Sequence, residues 1–186
     1  AEKSQRRLVN LNLLGEFIHN TLKEILPISN LYISTIDYDN KQIHFPYFKD
    51  DFHKKDSAAF SRPFNNNGFT EYIIQNKKII NSTQEELIAL AKSEKLELVG
   101  ELPERLVAIP LKSDGMAVGA LVVQCYQSSC DINEDDVELL RFIASQIAVI
   151  IDRQIWQEKL IENEAYYRTL VENSSEIVCI LNDYGI

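Results

Sequence analysis

Three histidines, three cysteines and one acidic run are the residues of this sequence that could do chemistry, and their spacing argues against most of it. His19, His44 and His53 are scattered, and none pairs with a cysteine or carboxylate at metal-ligand spacing. Cys125 and Cys130 are five apart, which fits no common zinc pattern. Structural or surface roles are therefore expected for these residues, and no metal. Cys125 falls in an apolar run and reads as a buried small hydrophobe. With Cys179 the cysteine total is odd, which reads as free thiols in a reducing compartment. Glu134, Asp135, Asp136 and Glu138 could hold a divalent cation, but they follow Asn133 at the start of a helical pattern. Negative charge at the positive end of the helix dipole accounts for them better. No glycine-rich phosphate loop, Ser/His/Asp order or nucleotidyl-cyclase motif occurs. The expectation is a chain that is not itself an enzyme.

Composition bounds the alternatives. The 186 residues suit one full domain with connecting elements. A hydrophobic share of 45% with 25% charged residues supports a packed core rather than disorder. The net charge of −9 argues against nucleic acid or an anionic membrane as partner, since phosphate contacts need clustered Lys and Arg. No run approaches the roughly 20 apolar residues that cross a bilayer. The opening Ala1-Glu2-Lys3-Ser4-Gln5-Arg6-Arg7 lacks the apolar stretch of a signal peptide. A cytoplasmic location with no direct membrane contact is expected.

Periodicity then gives the elements. Leu11, Leu14, Ile18, Leu22 and Ile25 recur at steps of three and four, defining one face of a helix over 8–26 that Pro27 ends. Residues 31–48 read as a hairpin, with Pro46 demoting its second strand to a sheet edge. Asp50 to Asn67 is polar and is expected to be a long loop. A short helix follows over Phe69 to Asn76, then an extended piece at Ile79-Ile80. Ser82-Thr83-Gln84-Glu85 offers a capping box, with Ser82 as cap, for a helix over Glu86 to Ser93. Two apolar runs, Leu106 to Leu111 and Val118 to Tyr126, flank the turn signal Asp114-Gly115 and read as a buried hairpin. The last helix starts after Asn133 and runs to about Asn173, with Val137, Leu140, Ala144, Ile147, Ile151 and Ile155 as its seam. Ser174-Ser175 breaks it, and a strand begins at Ile177. Antiparallel strands with helices at both ends make an α+β architecture.

Four blocks in this order resemble one family. Gly68-Phe69-Thr70-Glu71-Tyr72 is similar to the "G-[FL]-T-x-Y" helix start of GAF domains, and Leu106 to Leu111 to their "P-L" strand. Val118-Gly119-Ala120-Leu121-Val122-Val123-Gln124 resembles the following strand. Asp135-Asp136-Val137-Glu138-Leu139-Leu140, with Gln146-Ile147-Ala148, resembles the exit helix. Ile43 to Phe48 adds a likeness to a bacterial subgroup found in sensor kinases and cyclic-dinucleotide enzymes. That subgroup often carries Ser-Trp where this chain has Arg105-Leu106. Separately, Tyr167 to Ile177 with Asp183-Tyr184-Gly185 resembles the first helix and strand of a PAS domain, which needs roughly 100 residues in full.

The resemblance implies a GAF-like, PAS-related antiparallel sheet. Its terminal helices would pack on one face, and small helices and loops on the other. It divides the chain into a GAF domain at 1–152, a linker helix at 153–173 and the start of a truncated PAS domain at 174–186. It further implies a regulatory module of a longer signalling protein, a histidine kinase or a diguanylate cyclase, with PAS and output domains downstream. A small ligand of unidentified chemistry would sit between the sheet and the 60–100 segment. Tyr47, Phe64, Phe69, Tyr72, Leu106, Ala108 and Gln124 would line its site, with Gln124 as the polar member. No cysteine adjoins a histidine, so covalent bilin is not expected, and neither is haem. Asn76-Lys77 does not extend into the cyclic-nucleotide motif. The helical stripes Leu11, Leu14, Ile18 and Leu140, Ala144, Ile147, Ile151, Ile155, Trp156 are expected to join a parallel homodimer. The competing reading is a structural dimerisation module without ligand.

Overall fold

The computed structural model describes residues 2–52, 60–65, 67–98, 100–127 and 130–172, with backbone alone for 2–9. Two compact units are present, Ala1–Asp152 and Arg153–Ile186. The elements are α1 (Glu2–Lys23), β1 (Asn30–Asp37), β2 (Gln42–Lys49), β3 (Phe60–Pro63), α2 (Phe69–Asn76), β4 (Ile80–Thr83), α3 (Gln84–Glu94), β5 (Arg105–Ser113), β6 (Met116–Cys125) and α4 (Glu134–Glu172). The strands form one antiparallel sheet in the order β3-β2-β1-β6-β5-β4.

Alternation along the strands sorts the core into two layers. Tyr32 pairs with Val122 and Val122 with Ala108, while Ile33 pairs with Leu121 and Leu121 with Ile109. The Tyr32 side is covered by α2 and α3, whose Ile73, Ile74 and Leu87 join its core cluster. The Ile33 side includes Tyr47, its β2 partner, against which Gly15 of α1 is pressed with no room for a Cβ. Ala144 and Ser145 of α4 lie beside Ile109 and Pro110 on that same side. The terminal helices therefore share one face and the small helices the other, as expected. Leu11, Leu140 and Ile147 are buried to 1% or less, each contributing about 2 kcal/mol by leaving water.

Local chemistry sets the element ends. In the β5–β6 turn Asp114 and Gly115 have φ of 47° and 75°, the two positive angles a tight hairpin needs. Asn133 Oδ1 accepts from Asp136 N at 3.1 Å and Asp136 Oδ2 from Asn133 N at 2.9 Å, closing a reciprocal cap on α4.

Several expectations need correction. The polar 50–67 stretch contains β3, whose short edge pairing with β2 (Phe45 with Phe60, Gln42 with Pro63) left no periodic signal. This makes β2 an interior strand despite Pro46. The proline falls past the end of the β3 ladder and opposite a register shift in β1, where a missing N–H costs no bond. Its carbonyl accepts from Asn12 Nδ2 at 2.9 Å. The cap of α3 is Thr83 with Glu86, one residue later than expected: Thr83 Oγ1 accepts from Glu86 N and Glu86 Oε2 from Thr83 N, which closes the box. Helix α1 occupies 2–23 rather than 8–26. Cys125 is buried as expected, but it is not a free thiol. It forms a disulfide with Cys130, the two Cα atoms being 6.0 Å apart across the β6–α4 connection. Cys179 and the strand expected from Ile177 lie outside the described residues.

Candidate functional site

Strands β1 to β3 turn an unusual number of rings to the α2 side of the sheet. Phe45 and Phe60 stack at 4.6 Å with 10° between planes, and Tyr32 stacks on Phe48 at 5.5 Å and 22°. Phe48 meets Phe60 edge-on at 5.4 Å, which ties the two pairs together. Buried Tyr32 is placed by a 3.0 Å hydrogen bond between its hydroxyl and that of Thr70 at the start of α2. Burial pushes its phenol up to about 12, so it stays protonated throughout the physiological range.

These rings form one wall of a cavity of about 350 Å³ between the sheet and the chain from Phe60 to Pro103. Leu106 of β5 and Gln124 of β6 complete the sheet side, while Gly68, Phe69 and Leu87 face them from α2 and α3. The volume lies within the range of small-molecule sites, and the lining is mostly apolar with a few convergent polar groups.

Arg62, Glu71 and Asp50 among the cavity's charged members have defined partners. Arg62 of β3 grips Glu71 of α2 with both terminal nitrogens, the Nη2–Oε2 contact being 2.9 Å. Glu71 is fully buried. Hydrogen bonding to this carboxylate raises the Arg62 guanidinium further above its already high value. Glu71 Oε1 also accepts from Asn65 N at 3.3 Å, and the carboxylate lies so close over Gly68 that a Cβ there has no space. The guanidinium sits 5.5 Å above the centre of the Phe45 ring. Asp50 receives Phe52 N at 2.9 Å and the Tyr126 hydroxyl at 3.0 Å. Burial, followed by the Asp50 charge, pushes the Tyr126 phenol upward.

The seven residues expected to meet a ligand are only partly brought together. Phe69, Leu106 and Gln124 line the cavity. Ala108 is fully buried in the adjoining core cluster, and Phe64 and Tyr72 pack against that cluster without reaching the cavity wall. Tyr47 lies on the other face of the sheet, where its hydroxyl meets His19 Nδ1 at 2.6 Å. A one-residue alternation separates it from Phe48, which does line the cavity. Tyr32, Asp50 and the Arg62–Glu71 pair went unrecognised. Nothing in nine residues of separation marks Arg62 and Glu71 as partners, whereas Tyr32, the aromatic member of an apolar strand, was a usable signal.

On the helices, Leu11, Leu140, Ala144, Ile147 and Ile151 are buried inside the folded chain, and Leu14 and Ile18 are half-buried. The outward apolar side chains of the first unit are others, notably Leu13, Phe17, Phe142 and Val149. In the second unit Ile155 is half-buried and Trp156 exposed, as are Leu160, Ile161, Tyr166, Tyr167, Leu170 and Val171. Among the described residues no three His, Cys, Asp or Glu side chains could hold a metal together, and no helix is long and apolar enough to cross a membrane.

Solved structures share this fold at low identity. The GAF domain of a phosphoenolpyruvate-protein phosphotransferase from Coxiella burnetii superposes with a TM-score of 0.64 at 17% identity, covering 83% of this chain and 94% of its own. A type II free methionine-R-sulfoxide reductase from Thermoplasma acidophilum follows at 0.58 and 15% identity, covering 78% and 96%. The GAF domain of a two-component sensor histidine kinase from Bacillus halodurans gives 0.55 and 13%, covering 82% and 97%. At such identities the likeness speaks for the fold, which serves a reductase as readily as a sensor. None of the curated proteins matches the chain. The sequence model of the GAF domain covers residues 13–152, the span from α1 to the middle of α4, and by that match the chain belongs to the GAF domain family.

Proposed function

We propose that this chain is the ligand-binding sensory module of a larger signalling protein, which it regulates through α4. A sensory role follows from the family, whose domains generally sense rather than catalyse. The observation that carries the ligand is the cavity of about 350 Å³, walled by stacked rings and left open beside a well-packed core. Filled side-chain packing would have suited a purely structural module better. Among the described residues, no base-and-nucleophile pair or metal cluster faces the cavity to favour a reaction over binding. On this reading the parent is a histidine kinase or diguanylate cyclase with a PAS domain after residue 173, and the module works as a homodimer.

The experiment is a thermal-shift screen of the purified chain against water-soluble metabolites, repeated on Leu106→Trp, whose indole fills the cavity. At least one compound is expected to raise the melting temperature of the wild type and leave the variant unmoved. No responding compound, or responses that Leu106→Trp leaves intact, would favour the ligand-free dimerisation module, for which the outward Leu13, Phe17, Phe142 and Val149 speak.

A further inference from the structure

The disulfide lies where the central sheet hands over to the last helix. Cys125 is the final residue of β6, next to Gln124 of the cavity wall, and Cys130 lies four residues before α4. The two sulfurs differ in access. Cys125 is 3% exposed, whereas Cys130 is half-buried and lies outside every helix and strand. A reagent from solvent therefore meets the bond at Cys130.

Two contacts prepare the same corner for the reduced chain. Cys130 N donates to Gln127 O at 3.0 Å, a backbone turn that keeps the second cysteine near the end of β6 without help from sulfur. The Pro27 carbonyl oxygen, in the α1–β1 connection, lies 3.2 Å from Cys130 Sγ and 3.8 Å from Cys125 Sγ. A thiol on Cys130 can donate its proton to that oxygen, whereas a disulfide has none to give. The corner thus has a bonding arrangement for each oxidation state. Closed, it fastens the connection to β6; open, it fastens the connection to Pro27.

We infer that Cys125 and Cys130 form a reversible thiol–disulfide couple, reached through Cys130, that sets how firmly the start of α4 is held to β6. In the reducing direction the thiolate of a low-molecular-weight thiol attacks Cys130 Sγ. The bond to Cys125 Sγ breaks, and Cys125 leaves as a thiolate that takes a proton from water. A second thiolate attacks the outer sulfur of the mixed disulfide and releases Cys130 in the same way. Two reagent thiols have then become one disulfide, and one protein disulfide two thiols. Opening the ring frees the backbone ahead of α4, leaving buried Ile132 and the Asn133–Asp136 cap to hold the helix start. The exchange is independent of any ligand; only its consequence for the parent rests on the reading of α4 as the route to the output.

The test equilibrates the full chain in glutathione buffers from fully reduced to fully oxidised and traps free thiols by alkylation. Cleavage after Lys112 and Arg141 puts both cysteines on one peptide, 113–141, separate from Cys179. Mass spectrometry is expected to find that peptide with two thiols in reduced buffer, with an internal disulfide in oxidised buffer, and in both forms between. Amide hydrogen exchange at 131–140 is expected to be about tenfold faster in the reduced chain. Cys130→Ser, whose hydroxyl can also donate to the Pro27 carbonyl, is expected to keep the fast rate in every buffer. A bond that survives about 10 mM reduced glutathione overturns the inference, since it is then a permanent staple. Thiols that persist in oxidised buffer overturn it as well. So does exchange at 131–140 that is the same in both states, or that still follows the buffer in Cys130→Ser. None of these results bears on the cavity, whose ligand reading stands or falls by the thermal-shift screen.

Discussion

His19 is the residue whose burial has the plainest measurable outcome. It is 1% exposed, its Nδ1 meets the Tyr47 hydroxyl at 2.6 Å, and burial pulls its pKa down to about 4. The positive charges of Lys23 and Lys49 act in the same direction, and Asp51 opposes them weakly. The unfolded chain takes up this proton near the ordinary value of about 6.5, the folded chain only near 4. Stability is therefore fully present above about pH 6.5 and declines as pH falls toward 4, by roughly 3 kcal/mol at most from this group. Urea unfolding at pH 7.5 and pH 5 measures it, and His19→Leu is expected to flatten the slope. A slope unchanged by the substitution would assign the acid sensitivity to other groups. The sequence displayed His19 as one of three scattered histidines and excluded a metal role for it. It could not pair His19 with Tyr47, because that contact depends on which face of β2 a bulge turns toward α1.

At the level of elements, β1 and β6 approach closely at one pairing near the centre of the sheet. Gly119 pairs with Thr35, and a Cβ on it would run into the backbone carbonyl of Ser34. The Ser34 hydroxyl accepts from Ala120 N at 3.2 Å beside the register shift in β1. Backbone cannot yield as a side-chain tip can. Gly119→Ala is accordingly expected to cost about 3 kcal/mol, by forcing the two central strands apart. Chemical denaturation checks this, and a loss below about 0.5 kcal/mol would mean that the strands shift freely. Most elements were legible because periodicity and turn chemistry agree, as at Asp114-Gly115 and at the Asn133 cap. β3 was not. Four residues give too short a window for alternation, and their pairing partner lies across a stretch that reads as polar loop.

For the whole molecule, the apolar stripes read from the sequence were drawn correctly as helix faces, yet much of that surface is spent on the chain's own sheet. Leu140, Ala144, Ile147 and Ile151 are buried without any partner chain. Burial and self-association leave the same periodic mark, so sequence alone could not divide them. A homodimer would have to use the outward set, with Phe17 and Phe142 each more than 60% exposed and Trp156 and Leu160 further along the chain. Sedimentation equilibrium is expected to find a dimer at tens of micromolar, weakened by Phe17→Glu/Phe142→Glu. A monomer persisting to about 100 µM, an association weaker than roughly 5.5 kcal/mol, would remove dimerisation from the mechanism. The cavity was legible in outline, as aromatic residues closing over the sheet, but not in charge. Asp50 and Glu101 come to it from distant parts of the chain.

Strand β6 has a double membership that follows from its central position. Gln124 borders the cavity and Val122 belongs to its core, while Leu121 and Val123 belong to the opposite layer, which also holds the terminal helices. The next residue, Cys125, is fastened to Cys130, and α4 starts four positions later at Glu134. The strand is thus a party wall, inhabited from both sides and pinned at the end where the exit helix departs. No side chain in it can be resized for one room without being felt in the other, so the freedom to change ligand preference lies on β3, α2 and the rim, where the wall has only one tenant.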